Sequence, residues 1–202
     1  MNGQVQRGDG DNIRAVIWFC DSTPLAASMP RDDFLAILNE FFDCMAGAVM
    51  EHGGEVLRVI GHAALVVFLI SEDEQDDGKS GRTFAYTVSC TTLSAAVSAA
   101  DKIAALNSKR HAPGQAELGF GIGLHIGEVT YGNIGSAEWL EFTVIGEAAN
   151  RAARIESMCK LLQRDILLSA EFAQYFPERV ESLGCHELRG SDSGVKLFSL
   201  RD

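Results

Sequence analysis

The sequence lacks a long hydrophobic run: no stretch stays apolar over the roughly 18 residues that a membrane-spanning helix needs. Its first residues, M-N-G-Q-V-Q-R-G-D-G-D-N, contain no hydrophobic signal region either. We therefore expect neither a membrane span nor a secretory signal in this chain. We interpret residues 1–12 as a flexible polar leader, and residues 13–202 as the folded part.

Paired cysteines are also missing. The five cysteines are odd in number and widely spaced, and no two of them form a Cys-x-x-Cys motif. This pattern favours buried, reduced thiols in a cytoplasmic protein over a disulfide framework. The five residues are Cys20, Cys44, Cys90, Cys159 and Cys185.

Basic residues are few. The chain has 17 Lys and Arg residues but 28 Asp and Glu residues, so its net charge is −11. An acidic surface repels the phosphates of nucleic acids and anionic lipids, so we expect neither as a partner. The same charge repels a nucleoside triphosphate. A site for such a ligand would need local cations or metal ions.

The chain is long enough for one domain, and its 47% hydrophobic content is enough for a sizeable core. Apolar runs predict strands at 13–20, 55–60 and 63–70, the last two forming a hairpin around Gly61-His62. Apolar residues at spacings of three and four predict a helix over 31–52, and an Ala-rich stretch predicts another over 86–108.

The second half of the chain begins with a glycine-rich segment. We expect a strand over 118–127 with 128–135 returning as its partner, so that 119–135 forms a hairpin. Glycine within a strand also marks a bulge or a close backbone approach. The remaining predicted elements are a strand at 142–146, a helix over 147–162, a strand at 165–170, a short helix at 170–176, and final strands near 180–188 and 195–200.

This order of elements indicates a mixed α/β (α+β) fold. It predicts a ferredoxin-like βαββαβ core with a C-terminal extension, in which helices cover one face of the sheet.

Four polar side chains are candidates for a functional site, each with an ordinary alternative. Asp21 directly follows the first strand, where a carboxylate is a metal ligand or simply a helix cap. His62 is a metal ligand or an ordinary turn residue. Asn150 and Arg154 lie four residues apart, hence on one helix face. That face is either merely solvated or suited to phosphoryl groups, which the planar fork of Arg binds.

Three longer motifs share one resemblance. They are H-G-G-E-V-L-R-V-I-G-H-A-A-L-V-V-F, G-I-G-L-H-I-G-E-V-T-Y-G-N-I-G-S and F-T-V-I-G-E-A-A-N-R-A-A-R-I-E. In this order, they resemble the conserved segments of class III adenylate and guanylate cyclases, over about residues 13–200. The resemblance implies the nucleotide cyclase fold and a head-to-tail homodimer with active sites at the subunit interface.

The resemblance also implies a reaction, in which the 3′-hydroxyl of a nucleoside triphosphate attacks its own α-phosphate and pyrophosphate leaves. Two divalent cations, Mg²⁺ or Mn²⁺, would stabilise the attacking and leaving oxygens. Asp21 matches the first metal-binding aspartate. Asn150 matches the residue that orients the ribose, and Arg154 the residue that stabilises charge on the α-phosphate.

Further positions carry over from the same resemblance. Arg58 and Thr143 match the pair that reads the base. Arg189 matches a basic position near the phosphates, and Ser22 and Thr23 begin the phosphate-holding loop. Arg58 and Thr143 offer donors and a hydroxyl, so we predict adenine over guanine, and ATP as the substrate.

Three departures from the family pattern bear on activity. His62 stands where the second metal-binding aspartate belongs, and imidazole is a poor ligand for Mg²⁺ but is tolerated better by Mn²⁺. The loop after Asp21 is short and lacks the family glycine, and Pro24 has no backbone N–H. Arg58 replaces a lysine and is bulkier.

Two hypotheses follow from this pattern. The chain is an adenylate cyclase weakened at its metal site, or it is an impaired cyclase that binds nucleotide or regulates a complete cyclase as a heterodimer partner.

Overall fold

The computed structural model of the protein describes residues 10–22, 31–70, 80–111, 115, 117–136, 140–189 and 194–201. Its strands are β1 (Gly10–Ser22), β2 (Glu55–Ile60), β3 (Ala63–Ile70), β4 (Phe120–Gly135), β5 (Leu140–Ile145), β6 (Ile166–Ser169), β7 (Val180–His186) and β8 (Val195–Leu200). Its helices are α1 (Arg31–Glu51), α2 (Ser80–His111), α3 (Glu147–Glu156), α4 (Cys159–Leu162) and α5 (Ala170–Ala173).

Within the described residues, eight strands form one mixed sheet in the order β2-β3-β1-β4-β6-β8-β7, with β5 paired to β4. The first four strands and the helices α1 and α2 give the predicted βαββαβ arrangement, and β6 to β8 extend it. The fold class is therefore confirmed. The β2–β3 hairpin has the predicted bounds, whereas β1 begins three residues earlier than predicted and α2 runs six residues further towards the N-terminus.

Helices lie on both faces of the sheet, so the prediction of one covered face is wrong. Val16 and Trp18 of β1 pack into the core that contains α1 and α2. The alternate residues Ala15 and Ile17 pack against Ala148 and Ala152 of α3. Because successive side chains of a strand point to opposite faces, α3 covers the face opposite α1 and α2.

The predicted hairpin over 119–135 is also wrong, because this segment is the single strand β4. Its partner is β5, with Thr130 opposite Ile145 and Gly135 opposite Leu140. The glycines do not form a turn but allow α3 to pack closely against β4. A Cβ at Gly123 would lie 2.4 Å from the carbonyl oxygen of Ala152. The expected close backbone approach is therefore confirmed.

The helix predicted over 147–162 is interrupted after Glu156. The N–H of Ser157 still donates to the carbonyl of Ala153, four residues back, at 3.1 Å. The N–H of Met158 instead donates to the carbonyl of Ile155, which is only three residues back. This tighter turn redirects the chain. Helix α4 then ends at Leu162, before Gln163, whose φ of 51° is left-handed.

No helix among the described segments is both long enough and apolar enough to cross a bilayer. None of the five cysteines is in a disulfide, but only Cys20 and Cys159 are fully buried. The expected burial is therefore wrong for Cys185, which is exposed, and incomplete for Cys44 and Cys90.

His125 of β4 forms a buried polar contact beneath α3. The hydroxyl of Ser169 accepts the N–H of Phe172 at 3.2 Å. It also lies within hydrogen-bond distance of Nδ1 of His125, 2.9 Å away, where it donates or accepts according to the tautomer of the ring. Burial lowers the pKa of His125 to about 4, although the nearby Glu171 acts in the opposite direction.

The lowered pKa of the buried His125 predicts that the stability of the protein depends on pH. The unfolded chain protonates His125 near its ordinary pKa of about 6.5, before the folded chain does, so stability is lost as pH falls from about 6.5 towards 4. Between pH 7.5 and 5 we expect the free energy of unfolding to fall by about 2 kcal/mol more than in His125→Gln. Urea unfolding of both proteins at both pH values measures this difference. Equal losses in the two proteins would contradict the lowered pKa of His125 in the folded chain.

Candidate functional site

A cavity of about 300 Å³ lies between β2, β5 and α3, and it is lined by Arg58, Thr143 and Asn150. These are three of the residues that the sequence predicts for substrate binding. The remaining walls are mainly apolar, and they come from Phe19, Ile60, Leu65, Ile134, Val144, Ile145, Ala149 and Ala153. A mainly apolar cavity with a few polar groups suits a flat aromatic ring.

A bulge in β2 aims Arg58 into this cavity. Val56 pairs with Val66, but Arg58 already pairs with Leu65, so Leu57 is an extra residue in β2. Leu65 belongs to the face that carries α3, whereas its neighbour Ala64 belongs to the opposite face. Without the bulge, Arg58 would pair with Ala64 and point away from the cavity.

Glu141 is a lining residue that sequence reasoning missed. Its Oε1 lies 2.8 Å from Nε of Arg58, and its side chain is 23% exposed, against 45% for Arg58. The signal was present in the strand period, because residues 141 and 143 are two apart on β5 and therefore share a face. The partnership with Arg58 was not visible, because it depends on the bulge in β2.

Asp21, near the end of β1, and His62, in the β2–β3 turn, lie next to each other. Asp21 is opposite Ala63 in the β1–β3 register, and the backbone N–H of Ser22 donates to the carbonyl of His62 at 3.2 Å. The Nδ1–H of His62 donates to Oδ1 of Asp21. The side chain of Asp21 is 27% exposed and that of His62 is 42% exposed, so both are within reach of a ligand in solvent.

A second cavity, of about 310 Å³, adjoins Asp21 and Ser22 and contains Glu156 from the end of α3. Burial, with a smaller contribution from the charge of Asp21, raises the pKa of Glu156 to about 7, and His62 acts in the opposite direction. Glu156 is therefore partly protonated near neutral pH. The sequence analysis assigned it no role.

The donor set at Asp21 consists of one carboxylate and one imidazole. No group of three or more His, Cys, Asp or Glu side chains that could hold a metal ion occurs within the described ranges. A carboxylate bridges two cations, but an imidazole offers one nitrogen lone pair and no charge. The pair therefore fits a divalent ion that accepts nitrogen, such as Mn²⁺, better than Mg²⁺.

The two groups of candidate residues are separate within one chain. Arg58, Thr143 and Asn150 share the first cavity, whereas Asp21 lines the second. Along α3, Asn150 is exposed in the second turn and Arg154 is half-buried one turn later, on the same side of the helix.

One further predicted residue, Arg189, is not brought to these sites. Arg189 is exposed after β7 and is not among the residues lining either cavity. Thr23 lies outside the described residues, as does Pro24 with the rest of the short loop after Ser22.

Comparison with known proteins identifies the family to which the chain belongs. A family model for the adenylate and guanylate cyclase catalytic domain matches residues 17–201. The chain is 30% identical to an adenylate cyclase of Anabaena cylindrica over 96% of its length and 36% of the relative's. It is 33% identical to an uncharacterized protein of Mycobacterium tuberculosis, over 93% of this chain and 32% of that protein. The chain thus spans about a third of the curated relatives it matches.

Solved structures have the same fold. The adenylyl cyclase CyaB from P. aeruginosa superposes with a TM-score of 0.79 at 20% identity, over 96% of each chain. The guanylyl cyclase Cya2 superposes with a TM-score of 0.75 at 24% identity, over 95% of this chain and 93% of that one.

Proposed function

Because the chain belongs to the adenylate and guanylate cyclase catalytic domain family, we propose that it converts ATP to cyclic AMP and pyrophosphate as a homodimer in the cytoplasm. The observation that carries this proposal is the cavity that gathers Arg58, Thr143 and Asn150. Its walls are mainly apolar and carry a few polar side chains, which suits a purine nucleoside.

The reaction forms one bond and breaks one. The 3′-oxygen of the ribose bonds to the α-phosphorus, and the bond from that phosphorus to the oxygen bridging to the β-phosphorus breaks. The hydroxyl proton leaves to solvent and pyrophosphate departs. Asn150 orients the ribose, and Arg154 stabilises the negative charge that develops on the α-phosphate.

The base lies between the apolar walls, with its polar edge towards Arg58 and Thr143. A guanidinium only donates hydrogen bonds, and a hydroxyl donates or accepts. Adenine accepts a bond at N1 and donates from its 6-amino group, so this pair favours adenine over guanine.

Asp21 and His62 would hold the divalent cations, with Ser22 and Thr23 next to the phosphates. Bound there, two divalent ions would stabilise charge on the attacking and leaving oxygens. The chain's own contribution is to place a carboxylate at the end of β1 and an imidazole at the β2–β3 turn.

A second subunit is part of the proposal because the metal residues and the nucleotide cavity are separate in one chain. Large hydrophobic side chains remain 37–53% exposed around β2, β4 and β5, which is suited to a subunit interface. These residues are Val59, Ile60, Ile134, Phe142 and Ile145. Two identical chains related by a two-fold axis would form two complete sites.

We expect the purified chain to sediment as a dimer, more strongly so with nucleotide. Phe142→Glu should weaken dimerisation by about 10-fold or more, because it places a charge in an apolar contact. Leu161→Glu, in the 71% exposed position on α4, should change nothing. A chain that stays monomeric at high concentration with and without nucleotide would contradict the dimer.

An alternative function is regulation of a complete cyclase by a heterodimer in which this chain supplies the Asn150 and Arg154 half. The contact between His62 and Asp21 favours it, because it engages an oxygen that a metal ion would otherwise use.

The preference for adenine is tested by steady-state kinetics with ATP and GTP in the presence of Mn²⁺. We expect the kcat/KM for ATP to exceed that for GTP by on the order of 10-fold, the scale of one well-placed hydrogen bond to a charged group. Equal or faster turnover of GTP would contradict the assignment of adenine.

A further inference from the structure

Glu141 adds a carboxylate to the nucleotide cavity, beside two of the residues that the family resemblance assigns to it. It lines the cavity together with Arg58 and Thr143, and its Oε1 is 2.8 Å from Nε of Arg58. A carboxylate accepts several hydrogen bonds and donates none when ionised. The cavity therefore carries a fixed acceptor beside a fixed donor.

We propose that Glu141 reads the purine: it accepts a hydrogen bond from the 6-amino group of adenine while it holds Arg58 in position to donate to N1. This inference rests on the proposed cyclase function and names the residue that selects its substrate.

The contact leaves both partners able to bind a base. Glu141 engages the Nε–H of Arg58, so the terminal nitrogens of the guanidinium remain as donors. A long arginine side chain loses conformational freedom when it binds a ligand. An arginine already held by Glu141 loses less, and its direction is set before the nucleotide arrives.

The edge of adenine carries one acceptor, N1, and one donor group, the 6-amino group, which the pair matches one for one. Guanine in the same place would set N1–H against the guanidinium and O6 against the carboxylate. Its 2-amino group would also have no assigned partner. Both mismatches disfavour guanine, because polar groups that lose water without gaining a partner cost free energy.

The reverse placement, with Glu141 at N1 and Arg58 at position 6, would read guanine. The two placements make opposite predictions for the same variant, so one experiment distinguishes them.

The experiment compares Glu141→Gln with the unmodified chain in kcat/KM for ATP and for GTP, with Mn²⁺ present. The glutamine amide can donate to O6 of guanine, and it binds Arg58 less strongly than a carboxylate does. We expect the ratio of ATP to GTP efficiency to fall by on the order of 10-fold. The matched control is Glu51→Gln, which also removes a surface ion pair, with Lys102 at 2.7 Å, and should leave the ratio unchanged.

A second probe isolates the 6-amino group. Purine riboside triphosphate lacks that group but keeps N1, so the unmodified chain should use it about 10-fold less efficiently than ATP. In Glu141→Leu, which has no acceptor, this difference should disappear. The thermal midpoint of each variant verifies that it is folded.

A ratio that stays within about 2-fold in Glu141→Gln, or a difference that persists in Glu141→Leu, would overturn the proposal. A ratio that shifts towards ATP would overturn it in favour of guanine. If no nucleotide is cyclised, the proposed function fails. The dissociation constants of the non-cyclisable 3′-deoxy ATP and 3′-deoxy GTP then test the inference, because Glu141→Gln should lower the preference for the adenine analogue by the same factor.

Discussion

Arg154→Ala is expected to lower kcat by on the order of 100-fold or more, with a much smaller change in KM. In the proposed mechanism the guanidinium stabilises charge that is present mainly in the transition state, so its loss should affect turnover more than ground-state binding. Cyclic nucleotide production under saturating ATP and Mn²⁺ measures kcat, and the dependence on ATP concentration gives KM.

Arg151→Ala is the matched control for this variant. Arg151 is on the same helix, three residues earlier, but it pairs with Glu147 at 3.3 Å and with Glu171 at 3.1 Å. Its loss should leave kcat within about 2-fold, because these half-exposed ion pairs contribute little even to stability. A fully active Arg154→Ala would remove the residue from the mechanism.

Mixing two inactive variants tests whether the site is shared between subunits. Arg154→Ala retains its metal residues and Asp21→Ala retains its nucleotide cavity, so a mixed dimer contains one intact site. Activity should return on mixing, to a fraction of that of the unmodified chain. Failure of two folded, dimeric variants to complement would contradict a site formed across the interface.

His62→Asp is expected to raise Mg²⁺-supported cyclase activity by about 10-fold or more, and to raise Mn²⁺-supported activity much less. The substitution restores negative charge and hard oxygen ligands beside Asp21, and Mg²⁺ depends on oxygen ligands more than Mn²⁺ does. The ratio of the rates with the two metals is measured on one protein preparation, so it is insensitive to the fraction of active protein.

His62→Asn separates the two effects of His62→Asp, which are the loss of the imidazole and the gain of a negative charge. It removes the imidazole that donates to Asp21 but adds no charge, so it should gain less with Mg²⁺ than His62→Asp does. A chain that is already fully active with Mg²⁺ would contradict this account of position 62. If all three forms are inactive with both metals, the regulatory function is favoured.

Local patterns predicted the first half of the fold well. The β2–β3 hairpin was predicted to the residue because the turn Gly61-His62 separates two apolar runs. That hairpin, and a strand ending at Asp21, also made the proximity of Asp21 to His62 predictable through the family resemblance.

The errors in the predicted second half of the fold arose where one residue type can serve two structural purposes. The glycines of β4 were interpreted as part of a hairpin, but they allow the backbone of α3 to approach, as the space beside Gly123 shows. Nothing in a single sequence distinguishes these uses. The ion pair between Arg58 and Glu141 was missed for a similar reason, because the bulge at Leu57 that aims Arg58 has no signature in the residue pattern.

The most direct test of the central proposal is cyclic nucleotide production by the purified chain, assayed with ATP or GTP and with Mg²⁺ or Mn²⁺. The account predicts cyclic AMP from ATP, more with Mn²⁺ than with Mg²⁺, and at least several-fold less cyclic GMP from GTP. A folded, dimeric chain that binds ATP but forms no cyclic nucleotide under any of the four conditions would contradict it.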